Sequence, residues 1–270
     1  MVDSSGLFRD ATGAAGDVDL QQAYASWIAP AGSGLRLDIG KFVTHFGTEV
    51  IEGYDCWNDN ATRSLLFGYA IPFTHAGVRA TYTFSPRISA TAMVVNGWDV
   101  AVDNNRSKSV GAQLALTPVP ALTVWLNGMT GPERGTSEAD SRALLELVAL
   151  WKAAPRLTLG IDAGRGAEPH AALDGGDATW TAAAAYARVG IAGAFALAVR
   201  GETFDDHDGA RTGVAQKLSE VTLTPELRLT KRALVRADLR MDRSDHPVFE
   251  KGAGATDTQG TVLLNVLFSF

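Results

Sequence analysis

Arg236, Asp238, Arg240 and Asp242 place opposite charges at every second position of the chain. Charges at that spacing can build cross-strand ladders, set a transverse field across a channel, or simply neutralise one another. Val235, Ala237, Leu239 and Met241 fill the intervening positions. A helix would scatter the charges around its circumference, whereas the period of two in a strand separates them cleanly from the apolar set. The segment is therefore read as a strand whose faces meet different surroundings. In a soluble sheet these are a core and water. In a transmembrane barrel they are lipid and a wet lumen.

Other residue types that could carry chemistry lead less far. The histidines, His45, His75, His170, His207 and His246, lie far apart without ligand spacing. All but His75 fall in expected loops and are read as solvated. Asp205, Asp206 and Asp208 precede Gly209, and Asp59 lies between Asn58 and Asn60. Such oxygen-rich clusters can hold calcium, but turns made of Asp, Asn and Gly need no metal. The expectation is no metal and no cofactor. DIGKF, residues 38–42, lacks the glycine loop of a phosphate site. No Ser and His share an outward face, so an enzyme is not expected. Cys56 is the single cysteine, which excludes an internal disulfide.

Composition narrows the classes. The chain of 270 residues is 46% hydrophobic and 20% charged, with a net charge of −6. That negative balance argues against a nucleic-acid partner. Mean hydropathy near zero is compatible with a barrel, because half of each strand is polar. The opening MVDSSGLFRD has neither the basic start nor the apolar stretch of a signal peptide. Residues 182–199 are the single candidate membrane helix, but Arg188, Gly190 and Gly193 interrupt them. A hairpin about VGIAGA, 189–194, is the better reading.

Stepping along the chain for period 2 yields about thirteen strands. Short turns fall at 30–34, 85–87, 118–120, 152–155, 189–194 and 230–232. Long polar connections alternate with them, at roughly 44–64, 97–108, 130–140, 165–178, 204–216 and 243–257. Strands of about ten residues, with short turns on one side and long loops on the other, define an antiparallel transmembrane β-barrel. The fold class expected is thus all-β, as one domain over 18–270. Residues 1–17 are read as a remnant of an extracellular loop. Thirteen strands would pair the first with the last in parallel. A native barrel of fourteen or more strands, with an upstream strand and signal peptide, is therefore expected.

The polar faces supply the candidate pore lining: Arg36, Asp38, Arg79, Arg142, Glu146, Arg200, Glu202, Glu220, Glu226, Arg228, Arg236, Asp238, Arg240 and Asp242. Asp162 and Arg188 also face inward. If residues 220–229 and 232–242 form a hairpin about TKR, Glu226 opposes Arg236 and Thr222 opposes Arg240. The first long connection, 44–73, offers Tyr54, Trp57, Asp59, Asn60 and Arg63 as constriction-loop candidates. Its stretch LLFGYAIPF is too apolar to stand in water, which favours an inward position over an outer binding surface.

Two resemblances add to this. The closing TVLLNVLFSF, with Phe268 and Phe270 two apart on one apolar face, resembles the recognition signal of bacterial outer-membrane barrels. This implies the barrel-assembly machinery as a partner. GKF (40–42), FGTE (46–49), NDNATRSLLF (58–67), HAGVRATY (75–82) and VVNGWD (94–99) resemble the β-barrel porin family called porin-2 or OmpL-like. The likeness continues through AAYAR (184–188) and RGETFDD (200–206). It implies a channel in the outer membrane of a Gram-negative bacterium, in contact with lipid and small hydrophilic solutes. Passive diffusion of such solutes or ions is the expected function. A non-conducting barrel whose loops bind a partner, and a soluble all-β binding protein, are the alternatives.

Overall fold

The computed structural model describes residues 20–51, 58–134 and 137–268. The expectations for residues 1–17, Tyr54, Cys56, Trp57 and Phe270 lie outside these. Thirteen strands form one antiparallel sheet: β1 (Ala23–Ala29), β2 (Leu35–Val43), β3 (Thr74–Ser85), β4 (Ile88–Val95), β5 (Ser109–Val119), β6 (Leu122–Arg134), β7 (Ser137–Ala154), β8 (Leu157–Glu168), β9 (Ala178–Ala192), β10 (Phe195–Asp206), β11 (Gln216–Arg228), β12 (Ala233–Ser244) and β15 (Thr258–Phe268). A separate hairpin, β13 (Phe249–Lys251) and β14 (Gly254–Thr256), sits in the connection from β12 to β15. Each strand pairs with its sequence neighbour, and β12 pairs with β15. Among the described residues, β1 and β15 each pair on one side only.

The apolar set faces out. Val262, Leu145 and Leu264 are 76%, 72% and 68% exposed, and Trp27, Ile39, Val221, Leu239 and Met241 are exposed too. A soluble sheet would bury such residues, whereas a barrel gives them to acyl chains. Their inward neighbours are mostly polar and covered, including Asp38, Glu146, Asp162, Arg200, Glu202, Glu220, Arg236 and Asp238. The expected hairpin register is present, with Glu226 opposite Arg236 and Thr222 opposite Arg240.

Several boundaries differ from those read in the sequence. Residues 130–140 are not a long loop: β6 and β7 run on to Arg134 and from Ser137, still paired at Gly131–Arg142 and Pro132–Ser141. Backbone pairing satisfies that stretch despite its polar composition, because a strand beyond the bilayer can be polar on both faces. β8 and β10 likewise reach Glu168 and Asp206, beyond their expected ends. The segment 182–199 is the β9–β10 hairpin, and no helix among the described residues is long and apolar enough to cross a membrane.

The connection from β2 to β3, residues 44–73, is here called loop 1, and its described residues, 44–51 and 58–73, lie on the sheet's inward side. They include a π-turn at Leu66–Ala70. Leu66, Phe67, Ala70 and Ile71 are buried against Trp180, Ala182, Ala184, Phe204 and Leu218 on β9–β11. There the inward face is apolar or small, so it can accept the apolar stretch that water would reject. At the same level Gly166 of β8 leaves room for the Trp180 indole. A Cβ at that glycine would lie 2.0 Å from Trp180 Cε2.

Candidate pore interior

The charged residues of β7–β12 meet the backbone of loop 1. Glu146 accepts from Gly47 N at 3.0 Å, and Asp162 from Thr48 N at 2.7 Å. Glu202 takes Leu65 N and Leu66 N on its two oxygens, at 2.7 and 3.0 Å. Asp238 takes Ala61 N and Thr62 N, at 3.2 and 2.6 Å. Each carboxylate thus satisfies buried amides, on irregular backbone or at the start of the π-turn, that the loop cannot satisfy itself.

Arginines serve the loop carbonyls. Arg200, fully buried, donates to Thr62 O at 2.8 Å and Arg63 O at 3.2 Å. It also pairs with Glu49 of the loop at 3.0 Å and Glu220 of the wall at 2.9 Å. Arg240 bonds Arg63 O and is itself held by Asp242 at 2.6 Å. Arg236 donates to Asn58 O and, at 3.1 Å, to Asn265 on β15. Asn60 reaches Thr224 at 2.7 Å, and Asn58 bonds both Val50 N and Val50 O within the loop.

The opposite wall is different. On β2 and β3, Arg36 and Arg79 converge on Asp38 at 2.8 and 3.0 Å, with Ser26 of β1 adding a 2.6 Å bond. Arg79 also lies over the Phe42 ring at 4.5 Å. Thr81 and Thr91 bond each other at 2.9 Å. Here the polar groups of the wall satisfy one another: Arg36 is half-exposed, and Asp38 is buried beneath the two arginines.

Between loop 1 and β5–β9 lies a cavity of about 440 Å³, lined by Thr48, Asp59, Gln113, Trp125, Asn127, Thr158 and Arg188 among others. Arg188 and Asp59 close on each other at 3.1 Å, joining the loop to the wall, and Arg188 also binds Glu226 at 2.7 Å. Burial raises the Asp59 carboxyl above the usual carboxylate range, against the pull of Arg188. Arg228, assigned to the same lining, is half-exposed near a short turn and approaches Glu226 at 3.5 Å.

His45 corrects the reading of a solvated loop histidine. Its ring stacks on Phe46 at 4.8 Å, and both nitrogens are buried. Burial depresses it to about 3, so it is neutral at physiological pH. His75 is buried too, between Thr44 Oγ1 and Gly97 O. The acidic cluster at 205–208 serves its own turn and the neighbouring strand β9. Asp206 accepts from Arg211 N and Thr212 N, and Asp208 from Thr179 N. No described group of three or more His, Cys, Asp or Glu could hold a metal ion.

Sequence reasoning missed a second assembly, on the side of the long loops. Arg211 lies between the rings of Trp98 and Trp180, at 4.9 and 5.2 Å, and donates to Tyr69 O at 2.7 Å. Arg142 covers Trp98 at 5.0 Å and binds Glu168 at 2.7 Å. Burial first, and the nearby Arg142 second, lower Arg211 to about 10. Asp99 accepts from Phe73 N and Thr74 N and is pushed by burial to about 6. Three loops therefore meet around one arginine. The signal in the sequence was the stretch of alanines after Trp180, whose inward members Ala182 and Ala184 leave space for loop 1.

An antiparallel sheet with a lipid-facing apolar surface and a polar interior crossed by an inward loop defines a porin-like barrel of the outer membrane. The chain belongs to the family described as "Putative beta-barrel porin-2, OmpL-like", whose model matches residues 2–270. Among solved structures it is similar to the anion-selective porin of Comamonas acidovorans, with a TM-score of 0.65 at 14% identity, covering 87% of this chain and 74% of that one. It is also similar to the outer membrane channel DcaP of Acinetobacter baumannii, with a TM-score of 0.62 at 11% identity, covering 92% and 79%. A further porin structure refined at 1.8 Å covers 92% of this chain and 90% of its own, with a TM-score of 0.58 at 15% identity. Among curated proteins, none matches.

Proposed function

We propose that this outer-membrane barrel passes small hydrophilic solutes or ions by passive diffusion, through the space that loop 1 leaves along the wall. The observation that carries this is the cavity of about 440 Å³ between loop 1 and β5–β9, with polar groups among its lining. Transport rather than catalysis is the role of such an interior. The outward face meets outer-membrane lipid, and β15, with Phe268, engages the barrel-assembly machinery.

Stepwise conductance of the refolded, full-length protein in planar bilayers is the test. Deleting residues 50–62 should enlarge each step, because those residues include part of the segment that crosses the lumen. The density of bonds anchoring loop 1 favours a second reading, a closed barrel whose outer loops bind a partner. Absence of any step in the full-length protein, with steps appearing only after the deletion, would select that reading.

A further inference from the structure

We propose that Glu146 and Asp162 together bind one proton, held between Glu146 Oε1 and Asp162 Oδ1, and that this proton keeps loop 1 seated. The proposal names a regulation of the channel interior, and only its electrical readout rests on the channel reading.

The two residues lie on β7 and β8, where Val148 opposes Asp162 and Glu146 opposes Gly164. They are diagonal neighbours on the inward face, within reach of each other. Gly47 N and Thr48 N are successive amides, and each binds one of the two carboxyls. Two successive amides thus hold the two carboxyls at neighbouring positions on the inward face. Glu146 is 4% exposed and Asp162 1%.

The donors are then unequally shared. Glu146 Oε2 receives Gly47 N and Asn127 Nδ2, and Asp162 Oδ2 receives Thr48 N. Glu146 Oε1 and Asp162 Oδ1 are buried with no donor at all. The Thr48 hydroxyl stands beside Asp162 without a partner and can serve only one of the two oxygens. The other groups facing the pair are Glu49 of loop 1, Tyr186 of β9 and the Asn127 amide of β6. None of these is a cation, and no described ion pair reaches either carboxylate. One proton on Glu146 Oε1, donated to Asp162 Oδ1, satisfies both oxygens and lowers the pair's charge from −2 to −1. Loss of that proton to water leaves two adjacent charges in a dry site, which is costly. The least costly relief is for residues 47 and 48 to lift away and admit water.

The test follows hydrogen exchange at Gly47 and Thr48, corrected for the intrinsic pH effect, and single-channel conductance between pH 5 and 9. In the wild type, protection should fall by about tenfold per pH unit above the midpoint, as loss of one proton requires, while conductance rises. Glu146→Gln should remain protected throughout, because its amide donates permanently to Asp162 Oδ1. Asp162→Asn should behave likewise, with its amide donating to Glu146 Oε1, and it stands in if the first variant fails to fold. A wild type without pH response, or an unchanged response in both variants, overturns the proposal. Protection restored at pH 9 by calcium would do the same, assigning a metal instead. A barrel silent at every pH refutes the channel reading alone, since exchange still reports on the pair.

Discussion

The two walls of the lumen share one sequence pattern and use it differently. On β7–β12, alternating carboxylates and arginines hold the amides and carbonyls of loop 1, as at Glu202, Asp238 and Arg200. On β2–β4, Arg36, Arg79, Asp38, Thr81 and Thr91 bond within the wall. A charge that satisfies a foreign backbone fixes a loop. A charge that satisfies a neighbouring strand stiffens the sheet and leaves the loop free of that wall.

The largest effect is expected at Arg200. Arg200→Met strands Glu49, Glu202 and Glu220 around a fully buried site, at a cost of about 3–5 kcal/mol for breaking such an ion network. Urea unfolding of the refolded protein should show that loss, or the barrel should fail to assemble. A loss below about 1 kcal/mol would mean that the site admits water.

Next comes the outer assembly. The carboxyl of Asp99, raised to about 6 in the folded protein from 3.8, binds a proton more tightly when folded. Its contribution to stability is therefore greatest below pH 3.8 and declines as pH rises through 6. Asp99→Asn should remove this decline from a series of unfolding curves between pH 3.5 and 7. A slope identical to that of the wild type would assign the dependence elsewhere.

Smaller effects belong to the other wall. Arg79→Gln leaves Asp38 still held by Arg36 and Ser26, so stability should fall by about 1–3 kcal/mol, the worth of a charged hydrogen bond. Ion selectivity, read as reversal potential under a salt gradient, should nevertheless shift towards cations. Arg228→Gln, at a half-exposed position, should stay within about 0.5 kcal/mol of the wild type in the same unfolding assay. If Arg228→Gln perturbs more than Arg79→Gln, the distinction between the walls is misplaced.

The fold was legible because each strand carries its own evidence. Leu239 against Asp238, or Val262 against Thr261, states the facing of a strand without reference to anything distant. The Glu226–Arg236 register followed from one turn. What the interior charges touch was not legible, because Glu202 and Leu66 are far apart in sequence and no local pattern links them. Alternation also hid the seat of loop 1: Ala182 and Ala184 resemble their outward neighbours Ala183 and Ala185, so β9 shows no polar face there. Arg211 and Trp98 lie in connections without periodicity, and only the fold brings them together.

The clamp itself is tested most directly by the single-channel conductance of the double variant Glu202→Gln, Asp238→Asn. Charged hydrogen bonds of this kind are worth about 1.5–3 kcal/mol each, and four amides of loop 1 lose them here. The strands keep their backbone pairing, so the barrel should still refold, with a lowered resistance to heat that reports the lost bonds. Conductance should exceed that of the wild type and approach that of the protein lacking residues 50–62. A double variant that folds normally and conducts as the wild type does would contradict the claim that these wall charges hold the loop.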